Sequence, residues 1–143
     1  MTRTPAEFLD FTGKAVVVTG AAAGIGEACA RAFAAAGAGV ILADVNEERN
    51  RGAADLIAID YGARAVAVTA NVANDADCEA IVIRALDEFG RIDVLVNNAG
   101  VTAPGTILDL APSEWDRVMD INLRSYFVLT QIAARAMIDR AVR

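Results

Sequence analysis

The 143-residue sequence contains no histidine, a single lysine (Lys14), and only two serines and two tyrosines. Without histidine, neither a serine-histidine-aspartate triad nor a histidine-based metal site can form within these residues. The two cysteines, Cys29 and Cys78, lie far apart and without CxxC spacing, which favours small buried side chains over a disulfide or a metal pair. We therefore expect no metal site and a reduced, cytoplasmic setting.

Clustered positive charge and long apolar runs are also missing. The formal net charge is -6 and the arginines are scattered along the chain, which argues against binding to nucleic acids or anionic membranes. The most apolar stretch, residues 28–43, is broken by Arg31, Gly37 and Gly39 and is too short to span a bilayer. The first 13 residues carry charges and no apolar segment, so we expect no signal peptide.

Short β-branched runs alternate with longer helical patterns along the whole sequence. This rhythm is typical of βαβ units, and strands that are apolar throughout indicate a parallel sheet covered on both faces. We therefore predict one α/β domain with a doubly wound parallel sheet. The predicted strands are residues 15–19, 40–43, 65–69 and 93–96.

Capping and turn residues divide the predicted helices. The predicted helix starts are Gly26, Asn46 as a cap, Asn74 as a cap, and Ser113, whose spacing to Asp116 resembles a capping box. The predicted helix ends are Gly37 in a left-handed conformation, Gly62, Gly90 and about residue 140, with a break near Asn122.

A glycine-rich loop, from Thr19 to Gly26, joins the first strand to the first helix. Glycines allow a pyrophosphate close to the backbone, and the first helical turn supplies free N–H groups and a positive dipole end. Gly26 would also let the helix pack closely on the sheet. The spacing is GxxxGxG rather than GxGxxG, so a tight turn without a ligand remains an alternative.

Asp44 ends the second predicted strand, 24 positions after Gly20. A carboxylate there can accept hydrogen bonds from the adenosine ribose, and it would repel a 2′-phosphate. The neutral residues 21–23 offer that phosphate no cation either, so NAD is favoured over NADP. Alternatively, Asp44 only helps to start the following helix.

These residues resemble the short-chain dehydrogenase/reductase family, and the resemblance covers essentially the whole chain. The matching motifs are residues 19–26, Asp44, Asn71-Val72, residues 97–100 (Asn-Asn-Ala-Gly) and residues 120–123 (Asp-Ile-Asn-Leu). The resemblance implies a Rossmann-type fold, with residues 1–143 forming a single NAD(P)-binding domain that is incomplete at its C-terminus, after the fourth strand and its helices. It also implies an NAD-dependent oxidoreductase acting on a small alcohol or ketone.

The resemblance assigns roles to individual positions. The implied cofactor-binding residues are Thr19, Gly20, Gly24, Ile25 and Gly26 at the pyrophosphate, Asp44 at the adenosine ribose, Asn71 and Val72 at the adenine, and Asn98, Ala99 and Gly100 beside the nicotinamide ribose. Asn122 is the one implied catalytic residue. Family members commonly have aspartate where Asn71 stands, although its amide oxygen could still accept from the adenine amino group. Asn71 and Asn98 could equally be turn residues, and Asn122 could simply shape a helix break.

The family's catalytic serine and Tyr-x-x-x-Lys pair have no counterpart in this sequence. Tyr61 is followed four positions later by Ala65, Tyr126 by Thr130, and Lys14 precedes the first strand. We therefore predict that the chain alone is catalytically incompetent. We also predict that it is marginally stable or associates, as a homo-oligomer or through an open edge of the fourth strand and the last helix. Three interpretations stay open: the cofactor half of an oxidoreductase, a non-catalytic module that binds NAD or a partner, or a truncated product without activity.

Overall fold

A computed structural model of the protein describes residues 9–141. Four strands form one parallel sheet in the order β3-β2-β1-β4, in which Val16 of β1 pairs with Val40 on one side and with Val94 on the other. The strands are β1 (Ala15–Thr19), β2 (Gly39–Asp44), β3 (Ala65–Thr69) and β4 (Val94–Val96). The predicted parallel sheet is confirmed, with strand ends shifted by one residue at most.

The helices follow each strand and continue after β4 in three consecutive segments. They are α1 (Gly24–Ala35), α2 (Glu47–Tyr61), α3 (Asp75–Phe89), α4 (Pro112–Met119), a π-helical turn (Asp120–Arg124) and α5 (Ser125–Ala141). The break predicted near Asn122 is this π-helical turn.

Successive residues of the central strand β1 point to opposite faces of the sheet. Val16 and Val18 pack in one buried cluster with residues of α1 and α2, such as Ala30 and Ile57. Val17 belongs to a second cluster with residues of α3 and α5, such as Ile81 and Leu129. Because both faces are covered by helices, every residue of β1 is buried, as a doubly wound sheet requires.

Asparagine caps and glycines mark most of the helix ends. The side chain of Asn46 accepts a hydrogen bond from the Arg49 N–H at 3.1 Å, and that of Asn74 accepts one from the Ala76 N–H at 2.9 Å. The left-handed glycines that follow the helices are Gly37, Gly62 and Gly90, with φ of 93°, 63° and 67°. These predicted caps and ends are confirmed.

Two predicted helix starts are wrong. Helix α4 begins at Pro112 and its N-cap is Ala111, so Ser113 lies inside the first turn and makes no capping box. Proline is favoured at the first helical position because it lacks the N–H that would be unpaired there. Helix α1 begins at Gly24 rather than Gly26, so the last two glycines of the loop belong to its first turn.

At the amino end of the sheet, Asp93 fastens β4 to β1. Its carboxylate accepts a hydrogen bond from the Ala15 N–H at 2.9 Å, while its own N–H donates to the Ala15 carbonyl at 2.8 Å. Arg91 forms an ion pair with the same carboxylate, and Lys14 lies 3.7 Å from it. Burial alone would raise the pKa of Asp93, but the hydrogen bonds from Arg91 and Ala15 outweigh it and hold the pKa below its usual value.

Candidate functional site

The loops that follow the four strands meet at the carboxyl end of the sheet, where parallel α/β sheets bind their ligands. They enclose a cavity of about 200 Å³. Its lining residues are Gly20, Ala43, Asp44, Val45, Ala70, Asn71, Val72, Ala99, Gly100, Val101 and Ile121. Six predicted cofactor-binding residues therefore line one cavity, although they come from four separate segments of the chain.

Two glycines of the loop are required by packing within the protein. A Cβ on Gly20, whose φ is +63°, would lie 2.9 Å from the Cα of Ala99. A Cβ on Gly26 would lie 2.1 Å from the carbonyl oxygen of Gly20 and 2.6 Å from Nδ2 of Asn98. The glycine loop thus packs against itself and against the loop after β4, with no room for a larger residue.

Gly24 differs from these two glycines because a Cβ there would meet no atom within 4 Å, although its φ is +61°. The neighbouring Ile25 is exposed. Ala23, the N-cap of α1, has no side chain that could accept hydrogen bonds from the first turn. Open space therefore lies beside a helix N-terminus whose N–H groups lack a side-chain cap, an arrangement that suits an anionic group.

Asp44 connects the glycine loop to the start of α2. Its Oδ2 accepts a hydrogen bond from the Ala22 N–H at 3.1 Å, and its Oδ1 accepts one from the Asn46 N–H at 2.9 Å. The carboxylate therefore does help to start the helix, as the alternative interpretation expected. It also lines the cavity, and each oxygen keeps a further lone pair with which it can accept a ribose hydroxyl.

Asn71 and Val72 form the turn that leads into α3. The Asn71 N–H donates to Oδ2 of Asp77 at 2.8 Å, and its Oδ1 accepts from the Ala73 N–H at 3.1 Å, so Asn71 has the turn role that was the alternative. The Val72 carbonyl accepts a hydrogen bond from the buried Cys78 thiol, whose pKa is raised by burial and then by nearby aspartates. One lone pair of the Asn71 amide oxygen remains for a ligand.

Asn98 lies behind the cavity and holds the glycine loop in place. Its amide nitrogen donates to the carbonyl oxygens of Thr19 at 2.9 Å and Gly20 at 3.2 Å. The Thr19 hydroxyl in turn accepts from the backbone N–H groups of Asn98 and Ala99, both at 3.0 Å. Thr19 and Asn98 therefore position the site, and their side chains face the protein.

The Asn122 side chain is connected to the site by hydrogen bonds to the backbone of one residue, Val101. Its Oδ1 accepts from the Val101 N–H and its Nδ2 donates to the Val101 carbonyl, both at 2.8 Å. Val101 and the preceding Gly100 both line the cavity. The π-helical turn, which carries Asn122, is thereby fastened to the loop after β4.

Several lining residues were not predicted from the sequence, among them Ala43, Ala70, Val101 and Ile121. Each of them stands next to a predicted site residue in the chain. Ala43, Ala70 and Val101 lie at a strand end or in the loop that follows it, and Ile121 precedes Asn122 in the π-helical turn. These positions were the only signals available, because apolar side chains carry no chemical signature of their own.

A larger cavity, of about 460 Å³, opens at the opposite end of the sheet, beside Lys14, Arg64 and Arg91. It lies at the amino ends of the strands, away from every predicted site residue. Size alone therefore does not identify the site, and the convergent loops favour the smaller cavity.

Between residues 9 and 141, no group of three His, Cys, Asp or Glu residues is placed to hold a metal ion. No helix in that same range is both long and apolar enough to cross a membrane.

Comparison with known proteins agrees with this architecture. A 3-oxoacyl-[acyl-carrier-protein] reductase from Synechocystis is 40% identical over 132 residues, which cover 90% of this chain and 52% of the relative. The oxidoreductase UcpA from Salmonella typhimurium is 43% identical over 129 residues, which cover 90% of this chain and 48% of the relative. The chain thus spans about half the length of the curated relatives it matches.

Solved structures show the same relationship. A short-chain type dehydrogenase/reductase from Mycobacterium marinum superposes with a TM-score of 0.92 at 33% identity, covering 96% of this chain and 56% of that one. A short-chain dehydrogenase/reductase from Burkholderia phymatum, solved in complex with NAD, gives a TM-score of 0.88 at 33% identity, covering 92% and 46%. The family model described as short chain dehydrogenase matches residues 14–142. The chain therefore belongs to the short-chain dehydrogenase/reductase family and has its Rossmann-type fold.

Proposed function

We propose that this chain is the dinucleotide-binding half of an NAD-dependent oxidoreductase. The observation that carries the proposal is the open space at Gly24, beside the uncapped N-terminus of α1 and within the same group of loops as the Asp44 cavity. The helix N-terminus suits a pyrophosphate and the carboxylate suits a ribose diol. A pyrophosphate and a ribose diol are the two features that a bound dinucleotide presents to a Rossmann-type domain.

The remaining residues fit the same ligand. In this proposal Gly20, Gly24, Ile25 and Gly26 hold the pyrophosphate, Asn71 and Val72 border the adenine, and residues 98–100 lie beside the nicotinamide ribose. The bound nicotinamide would supply hydride transfer to or from a small alcohol or ketone. Thr19 and Asn98 contribute by holding the loops together rather than by contact with the ligand.

Asp44 supports NAD over NADP. Its carboxylate lies at the wall of the cavity and would repel a 2′-phosphate, whereas residues 21–23 are alanines that offer no cation. The structural relative from Burkholderia phymatum, described in complex with NAD, is consistent with this preference.

We further propose that turnover belongs to a longer protein. The 143 residues contain no Tyr-x-x-x-Lys pair, and the chain spans about half of its relatives. Asn122, the proposed catalytic residue, uses its side chain to hold Val101. The resemblance to the family implies that its backbone carbonyl is the group that would serve the reaction. Its partners in a proton relay would have to lie outside these residues.

Titration of the purified chain with NADH and NADPH tests the cofactor proposal. We expect NADH to bind at least tenfold more tightly than NADPH, because the Asp44 charge repels the extra phosphate. The variant Asp44→Asn should narrow that ratio, whereas Asp55→Asn, an exposed position in the middle of α2, should leave it unchanged. Equal affinities for both cofactors in the wild-type chain would refute the preference.

A second candidate function, binding to a partner chain, is favoured by a different observation. Among the described strands, β4 pairs with β1 alone, and α5 exposes Phe127 at 67% and Ile138 at 61% of their surface. Apolar side chains on an exposed helix and an open strand edge both favour association. If the partner is a second copy of this chain, sedimentation equilibrium should show dimers or larger species, and Phe127→Glu should weaken them; a strictly monomeric chain would exclude self-association through these surfaces.

A further inference from the structure

Asn50 is a fully buried polar residue of α2 that contacts two strands at once. Its side-chain nitrogen donates to the carbonyl oxygen of Leu42 in β2 at 2.8 Å and to that of Val68 in β3 at 3.1 Å. Because both neighbours are carbonyl oxygens, the amide must turn its nitrogen toward them. The orientation of the side chain is therefore determined by the strands.

This orientation leaves Oδ1 of Asn50 buried without a hydrogen-bond donor anywhere in residues 9–141. An unpaired buried acceptor destabilises a fold, and an apolar side chain of similar size would avoid that loss. Nearby residues of the same helix face, such as Ala54 and Ile57, are indeed apolar. Packing alone thus does not explain an asparagine at this position.

The two carbonyl groups lie just before the adenosine side of the candidate site. Leu42 stands two residues before Asp44, and Val68 stands two residues before Ala70. The Asp44 carbonyl accepts a hydrogen bond from the Ala70 N–H at 3.0 Å, and both residues line the cavity. Asn50 therefore joins β2 and β3 two residues before Asp44 and Ala70, within the last part of the β2–β3 pairing that leads to the site.

We infer that Asn50 is a positioning residue that sets the separation of Asp44 and Ala70, and with it the fit of the adenosine portion of the ligand. The inference rests on the proposed dinucleotide function. Asn50 therefore has opposite effects on stability and on binding. Its unpaired Oδ1 weakens the fold, whereas its two donated hydrogen bonds maintain the geometry of the site.

The variant Asn50→Leu tests this separation. It removes both hydrogen bonds and the unpaired oxygen, so we expect a melting temperature equal to or above that of the wild type. We expect affinity for ADP-ribose to fall about tenfold, which corresponds to the loss of one well-placed hydrogen bond. Affinity for reduced nicotinamide mononucleotide should stay within twofold. Asn50→Ala, which removes the same two bonds and favours the helix, provides a second variant if the leucine does not fold.

Ile57→Val is the matched control, because it trims the same face of α2 two turns further along. It should lower the melting temperature and leave ADP-ribose affinity unchanged. If Asn50→Leu and Asn50→Ala bind ADP-ribose as tightly as the wild type, or lose both ligands in equal proportion, Asn50 has only a structural role.

Amide hydrogen exchange gives a readout that needs no nucleotide. Loss of the Asn50 bonds should accelerate exchange at the Ala70 N–H more than tenfold and leave Val66, near the other end of β3, unchanged. If the wild-type chain binds no nucleotide, the proposed function fails while the exchange result still tests the positioning of Asp44 and Ala70. If the amides of β3 exchange at one uniform rate in the wild type and in the Asn50→Leu variant alike, that result alone would overturn the inference.

Discussion

The Thr19 hydroxyl accepts hydrogen bonds from the backbone N–H groups of Asn98 and Ala99 at 3.0 Å, while the Asn98 side chain donates back to the Thr19 carbonyl at 2.9 Å. The two residues are 79 positions apart in the sequence. Their reciprocal bonds make the glycine loop and the loop after β4 into one structural unit. The wall of the candidate site is built on this unit.

Replacement of Thr19 by valine tests that unit. Thr19→Val keeps the shape of the side chain but leaves two partly buried N–H groups without an acceptor, which we expect to cost about 2 kcal/mol of unfolding free energy. Thr69→Val, at an exposed position of β3, should change it by less than about 0.5 kcal/mol. Urea denaturation measures both. Equal stability of Thr19→Val and the wild type would show that the hydroxyl contributes nothing to the fold.

The glycines of the loop should separate into two classes. Gly26→Ala places a Cβ against the Gly20 carbonyl, so we expect a loss of about 3 kcal/mol in unfolding free energy. Gly24→Ala meets open space and strains only its left-handed backbone, at about 1 kcal/mol, but it places a methyl group where the pyrophosphate is proposed to bind. Thermal unfolding and NADH titration together should find Gly26→Ala poorly folded, and Gly24→Ala folded but defective in binding. The reverse order of stabilities would contradict the packing described here.

The two hydrogen bonds between Asn122 and Val101 predict a structural role for Asn122 that does not depend on catalysis. Asn122→Ala should lower the unfolding free energy by about 1–3 kcal/mol, because it leaves a partly buried N–H and carbonyl unpaired. Asn97→Ala is the control, since its amide makes one exposed bond to Thr130 and its loss should cost less than about 1 kcal/mol. Chemical denaturation of the two variants should therefore rank Asn122→Ala as the less stable, and the opposite ranking would count against the bond pair.

Asp93 predicts a pH-dependent contribution to stability. Its pKa in the folded protein lies below the unperturbed value of 3.8, so the charged form stabilises the fold at pH values above that value. The contribution is lost as the pH falls through the folded-state pKa. The melting temperature of Asp93→Asn should therefore be below that of the wild type at pH 7, and the gap should close toward pH 2. Asp87→Asn, at an exposed position of α3, serves as the control; a gap that widens in acid would give the wrong sign.

Local chemistry explains which parts of the fold were predictable. Asn46, Asn74, Gly62 and Gly90 act on backbone groups within four residues of themselves, so their positions identified helix ends correctly. The helix start predicted at Ser113 was wrong because Pro112, one residue earlier, occupies the first position of the same helix. The proline was the stronger signal, since it both tolerates and favours the first helical position.

The sequence predicted six of the residues that line the candidate cavity, but not the contacts that they make. The sequence placed Asp44 at a strand end, but nothing local to Asp44 indicates that its carboxylate also accepts from Ala22, 22 positions earlier. Asn50 gave no signal, because a lone asparagine in a helix is usually exposed. Its burial depends on β2 and β3 lying beneath it, which is a property of the assembled sheet.

Backbone amide NMR shifts on addition of NADH test the proposed binding site most directly. They distinguish the 200 Å³ cavity at the carboxyl end from the 460 Å³ cavity at the amino end. We expect saturable shifts at residues 20–26, 43–45, 70–72 and 98–101, and none at residues 37–39 or 62–64. Shifts confined to the amino end of the sheet, or no shifts at millimolar NADH, would contradict a dinucleotide site at Gly24 and Asp44.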